Sequence, residues 1–246
     1  MFTSDYRESV REKIISTAKA DARIVAAAII GSYAKGTVDR WSDIDLTFGV
    51  AEEYEIAKLL DSLTEYILTE FNGKKLFDVQ SGNTIYRVFV LPGCLQVDLS
   101  FSPVNDFGAI GEYFHLLYGK QYPKLQPNQQ PAEDIFGYLI HHLMRARFCI
   151  ERNKFWQAEF WLNESRNYTL KLACQARGLS TDYGRGFDDL PEEALAPFQN
   201  AFIKTLSKEE LLRVLKIIVL GIPNTSNYIS NLYKIFDETL IGLMDE

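Results

Sequence analysis

The apolar positions of the first hundred residues switch between a helical and a strand-like period, and together they outline a sheet with helices laid on it. Tyr6, Val10, Ile14 and Ala18 recur at four-residue steps among charged neighbours. This predicts an amphipathic helix over 4–20, with Asp5 and Glu8 forming its N-terminal cap. Arg23 to Ile30 is then a nearly unbroken apolar run of strand length, and a second such run opens at Ile44. From about Glu52 to Asn72 the helical period returns. Ile56, Leu59, Leu60, Leu63, Ile67 and Phe71 share one face there, and Gly73 is placed to stop the helix. Both helices are expected to cover the same sheet. Between Lys75 and Phe101 the period falls to two, with strands at 76–79, 85–91 and 94–101 separated by Ser81-Gly82-Asn83 and Pro92-Gly93, an antiparallel meander. In its last strand Leu95, Val97 and Leu99 take one face and leave Gln96, Asp98 and Ser100 on the other.

The second half of the chain keeps to the helical period. A helix-like segment runs from Asp106-Phe107 to Tyr118, and Gly119 to Pro131 then breaks the pattern with Pro123, Pro127 and Pro131. Ile135 to Arg152 and Phe155 to Arg177 carry apolar residues at three- and four-residue steps, the latter ending at Gly178, and read as a helical hairpin. Ser207 and Glu210 form a capping box ahead of Leu211 to Leu220, and a last helix starts near Pro223 and runs through Tyr228, Leu232, Ile235, Phe236, Leu240 and Leu243. The expected fold class is α+β: a mixed sheet flanked by helices over 1–120, followed by a C-terminal α-helical bundle over 131–246.

Composition narrows the partners. With 246 residues, 47% of them hydrophobic, the chain can bury two cores. A net charge of −7 argues against holding long nucleic acid by its backbone and suits a small cationic molecule better. No apolar run approaches the roughly 20 residues of a membrane span, and the start Met-Phe-Thr-Ser-Asp lacks the basic-then-apolar order of a secretory signal. A cytoplasmic protein with no membrane association, a monomer or a homodimer, is the expectation. Cys94, Cys149 and Cys174 are odd in number and far apart, which predicts reduced core residues. His115, His141 and His142 lack metal-ligand spacing and are assigned no chemistry.

The chemistry is concentrated between Gly31 and Leu46. Gly31-Ser32 falls where the first apolar strand ends, so the backbone turns at a residue without a Cβ, and a phosphate can approach the main chain with the Ser32 hydroxyl as an added donor. About ten polar residues later comes Ser42-Asp43-Ile44-Asp45-Leu46. Strand alternation puts Asp43 and Asp45 on one face and Ile44 and Leu46 on the other. Two converging carboxylates repel, and a divalent cation with oxygen ligands, Mg²⁺ above all, relieves the repulsion.

Gly31-Ser32 with Ser42-Asp43-Ile44-Asp45-Leu46 resembles the signature of the DNA polymerase β-type nucleotidyltransferase superfamily. The form Gly-Ser-Tyr-Ala-Lys-Gly is similar to its small stand-alone and antibiotic-modifying members. The helical half is similar in order and helix content to the C-terminal domains of kanamycin- and lincosamide-type enzymes, and more loosely to HEPN proteins. The resemblance implies a third carboxylate from a neighbouring strand, and Asp98, in a Val-Asp-Leu after a hairpin, fills that place. It further implies catalytic and metal-binding roles for Asp43, Asp45 and Asp98 around two Mg²⁺ ions. Gly31, Ser32, Lys35 and Ser42 would contact an NTP, with ATP as the implied nucleotide. AMP would pass to a hydroxyl of a small, aminoglycoside-like acceptor, with pyrophosphate released. A protein or tRNA acceptor, or an idle partner in a toxin–antitoxin pair, stays open on the sequence. In the helical half, Glu159 and Glu164 are either an additional base or an exposed helical face, and Arg185 in Tyr-Gly-Arg-Gly is either a phosphate contact or part of a turn.

Overall fold

A computed structural model describes residues 1–110, 113–124 and 129–245. The chain divides into two compact units, Met1–Pro127 and Asn128–Glu246.

The first unit is built on a six-stranded mixed sheet. Its strands are β1 (Ile24–Ile29), β2 (Ile44–Val50), β3 (Lys74–Ser81), β4 (Thr84–Leu91), β5 (Leu95–Pro103) and β6 (His115–Tyr118), in the order β3-β4-β5-β2-β1-β6. β2 and β5 run parallel and every other neighbouring pair runs antiparallel. Helices α1 (Ser4–Ala20) and α3 (Ile56–Phe71) lie on one face. Val10, Ile14 and Ala18 of α1 and Leu59, Leu60, Leu63, Ile67 and Phe71 of α3 join Ile44, Leu46, Phe48, Val97, Leu99 and Phe101 of the sheet in one core. Alternation along β2 and β5 sends Asp45, Thr47, Asp98 and Ser100 to the opposite face.

Several local expectations are corrected. The cap of α1 is Thr3, whose hydroxyl accepts from the Tyr6 N–H. Asp5 lies within the helix. α3 begins at Ile56 because 52–54 form a turn, and Asn72 rather than Gly73 takes the left-handed cap conformation (φ 50). The segment from Asp106-Phe107 to Tyr118, read as a helix, instead follows a 3₁₀ turn at Val104–Asp106 and ends in strand β6 on the edge of β1; Gly111 and Glu112 of that segment lie outside the described residues. Pro127, one of the three boundary prolines, also lies outside them. Cys94 is exposed in the β4–β5 turn, so only Cys149 and Cys174 are core residues.

The second unit is helical. α4 (Ala132–Glu151) and α5 (Phe155–Gln175) form the hairpin, and α7 (Lys208–Gly221) packs with them after the short α6 (Glu192–Leu195). Ser207 caps α7 by accepting from the Glu210 N–H. The Glu210 carboxylate, however, takes the Lys204 N–H and the Arg213 guanidinium, so the reciprocal half of a capping box is not made. The last helix is two, α8 (Asn227–Ile235) and α9 (Asp237–Gly242), broken at Phe236. No helix among the described residues is long and apolar enough to cross a membrane.

Edge strand β3 is exposed along its length, with Leu76, Phe77 and Val79 each about half accessible. It is held by a cross-strand pair: Arg87 of β4 donates to both carboxylate oxygens of Asp78 (2.7 and 2.8 Å) and to Thr64 Oγ1 (2.7 Å). The Arg87 hydrogen bonds hold the Asp78 carboxyl down at about 2. Because that pKa is depressed in the folded state, the stabilisation is complete above the ordinary carboxylate range and is lost as pH falls from about 4 towards 2. Asp78→Asn is expected to cost about 1–2 kcal/mol at pH 7, a figure discounted for partial exposure. The gap to the unmodified protein in urea melts should close below pH 4.

Candidate active site

Three carboxylates converge on the open face of the sheet. Asp45 and Asp98 are directly paired across the parallel strands β2 and β5, and Asp43 precedes Ile44, the first ladder residue of β2. One oxygen from each of the three lies within 4.8 Å of the others, and all three residues are half-buried. Burial pushes the Asp98 carboxyl above the ordinary range and the Asp43 charge adds to this, against the pull of the Gln96 amide. Gln96 Nε2 donates to Asp98 Oδ1 and Oδ2 at 3.0 and 3.2 Å.

Gly31 stands against this cluster. β1 ends at Ile29, the Ile30 N–H bonds to the Asp45 carbonyl (3.2 Å), and the chain turns at once into α2 (Gly31–Lys35). Gly31 has φ +66, and a Cβ built there would fall 2.0 Å from Asp45 Oδ2. Only glycine lets the backbone pass the carboxylate at that distance. Ser32 is half-buried on α2, while Lys35 is exposed, with its Nζ 5.5 Å from the centroid of the Tyr113 ring. The Ser42 hydroxyl is engaged within its loop: it donates to Asp39 Oδ1 (3.0 Å) and accepts from the Asp39 N–H (2.9 Å). Farther along the same face, Thr47, Ser100 and Tyr86 floor a cavity of about 170 Å³ walled in part by Phe114 and Lys124.

The remaining candidates belong to the helical unit. Glu159 and Glu164 are half-buried on α5. Glu164 accepts from Asn167 (3.5 Å) and its charge favours protonation of His142, a smaller effect than the burial that pushes the His142 pKa down. Arg185 is exposed, its guanidinium 5.3 Å from the centroid of the Tyr183 ring. Sequence reasoning missed Gln96, two residues before Asp98 on the same strand face, and Arg7 and Arg11 of α1, which line a small cleft with Tyr33, Asp43 and Asp45. The signal for Arg7 was its position one helical step ahead of Val10 on an otherwise apolar stripe.

The glycine turn and two of the three carboxylates lie within a stretch that the family comparison also singles out. Residues 12–89 match the family described as "Polymerase beta, Nucleotidyltransferase", so the chain carries a domain of that type. The match includes Gly31, Ser32, Asp43 and Asp45 and ends before Asp98. No curated protein matches the sequence. Among solved structures, the chain is similar to an aminoglycoside 6-adenyltransferase from Bacillus subtilis, at 13% identity over 96% of this chain and 98% of that one, with a TM-score of 0.41.

Proposed function

We propose that this chain transfers AMP from ATP to a hydroxyl of a small cationic acceptor and releases pyrophosphate, with Asp43, Asp45 and Asp98 holding two Mg²⁺ ions. The observation that carries this reading is the convergence of three carboxylates within 4.8 Å. The donor set fits the metal: it is all oxygen and anionic, as a hard divalent cation requires. Bound there, Mg²⁺ would offset charge on the attacking and leaving oxygens.

The protein's own residues supply the rest. Asp98, its carboxylate oriented by Gln96, takes the proton of the acceptor hydroxyl. The missing Cβ of Gly31 lets the triphosphate approach the main chain, and Ser32 and Lys35 are the assigned donors to its oxygens, whereas the Ser42 hydroxyl, engaged with Asp39, shapes the loop instead. A net charge of −7 supports a cationic acceptor.

The test is α-labelled NTPs with Mg²⁺ against aminoglycosides, lincosamides, tRNA and cell protein. Label on a cationic small molecule is expected. Label on RNA or protein alone would remove the acceptor assignment, and no label on any acceptor would remove the activity. Asp98→Ala should lower turnover by about 10²–10³-fold while MgATP affinity stays within about threefold, because its part lies on the acceptor side. Calorimetry beside turnover checks this, and an equal loss of affinity would contradict the division of roles.

A further inference from the structure

Helix α1 reaches the carboxylate cluster through buried charge. Arg7 lies on its apolar stripe and is 4% exposed. Its Nη1 donates to the Asp39 carbonyl at 2.5 Å and the Ser42 carbonyl at 3.1 Å, and its Nε donates to Glu8 Oε1 at 3.1 Å. A buried guanidinium must place its donors, and here two of the acceptors are main-chain oxygens of the loop that leads into Asp43. Asp39 organises the same loop from within, accepting from the Trp41 N–H (2.8 Å) and the Ser42 hydroxyl (3.0 Å). One turn along α1, Arg11 pairs with Glu8 and lays its guanidinium 3.8 Å from the centroid of the Tyr33 ring. Tyr33 belongs to α2, the element that starts at Gly31. Glu8 therefore links one arginine that grips the loop before Asp43 to another that grips the turn beside Asp45.

We propose that Arg7, linked through Glu8 to Arg11, is a positioning residue that sets Asp43 against Asp45 and Asp98 for divalent-cation binding. This rests on the reading of those carboxylates as a metal site. The need for it is geometric. Asp45 and Asp98 are fixed by the ladder between β2 and β5, whereas Asp43 precedes the first ladder residue and takes its position from the loop. Metal–oxygen distances of about 2.0–2.6 Å leave little tolerance for a ligand that drifts.

The test is Mn²⁺ titrated calorimetrically into the unmodified protein, Arg7→Gln, Arg7→Lys, Asp45→Asn and Ile14→Val, with melting in EDTA alongside. Arg7→Gln is expected to weaken Mn²⁺ binding by about 10-fold or more, because the loop that places Asp43 loses its brace, an effect of the order found when the support of a metal ligand is removed. Arg7→Lys should lose several-fold, since one ammonium does not reproduce the forked contacts. Ile14→Val loosens the same helix without touching the brace, so it should lower the melting temperature and leave Mn²⁺ affinity unchanged. If the unmodified protein binds no Mn²⁺, the metal reading and this inference both fall. If it binds, Asp45→Asn does not and Arg7→Gln binds as tightly as the unmodified protein, the metal site stands and the brace is overturned. Should Arg7→Gln not fold, Arg7→Lys decides alone: a several-fold loss supports the brace and an unchanged affinity overturns it.

Discussion

Asp43→Asn is expected to lower nucleotidyl transfer by at least about 10³-fold, roughly 4 kcal/mol of transition-state stabilisation, while leaving the fold as stable as before or more so. The two halves of this expectation have one cause. The three carboxylates are held within 4.8 Å, and the Asp43 charge is one of the influences that raise the Asp98 carboxyl. Without a cation that crowding is a cost to the fold, so an amide at position 43 relieves it. With a cation the same charge is needed, and an amide is a poor replacement. Melting in EDTA should therefore show the variant equal to or above the unmodified protein. At MgATP concentrations near 100 times Kd the unmodified protein should gain about 2.7 kcal/mol that the variant does not. Turnover near normal in the variant would sink the assignment of Asp43 as a metal ligand.

How much of this was legible in the sequence depended on whether a feature is local. β1, β2 and the stripe of α1 follow from burial on one face, which periodicity records directly; the buried set Val10, Ile14 and Ala18 is the apolar stripe itself. The Gly31 turn was legible as the residue at which the β1 run ends, and Asp43 and Asp45 as a pair two residues apart where the β2 run opens. Asp98 was different. Its neighbourhood to Asp45 depends on the parallel register of β2 and β5, across more than forty residues of intervening chain, which no local pattern encodes, and only a family resemblance suggested it. β6 was misread because a four-residue, half-exposed edge strand carries too few alternations to outweigh its helix-forming residues. The break at Phe236 was hidden because Tyr228, Leu232, Phe236 and Leu240 keep four-residue steps across it. Arg7 was written in the sequence as a charge on an apolar stripe, but its partners are carbonyls, which have no sequence signature.

Gly31→Ala should cost activity far more than stability, and Gly36→Ala is its natural control. Both glycines have positive φ, +66 and +73, so each alanine carries the left-handed penalty of roughly 1–2 kcal/mol. At Gly36 a Cβ meets nothing within 4 Å, and the penalty ends there. At Gly31 the new atom falls 2.0 Å from Asp45 Oδ2 and 2.7 Å from its Cγ. The backbone cannot simply withdraw, because the Ile30 N–H is tied to the Asp45 carbonyl and Arg11 holds Tyr33 two residues on. The carboxylate must move instead, which takes it out of the cluster. Urea melts should thus show Gly36→Ala down by about 1 kcal/mol and Gly31→Ala by about 2–4 kcal/mol, the excess being overpacking. Activity should separate them more sharply: Gly36→Ala within a few-fold of the unmodified protein, and Gly31→Ala lower by at least about 10²-fold even where it is fully folded. Equal activities in the two folded variants would mean that Asp45 moves aside without consequence, and the close approach of Gly31 would then serve the turn and not the chemistry.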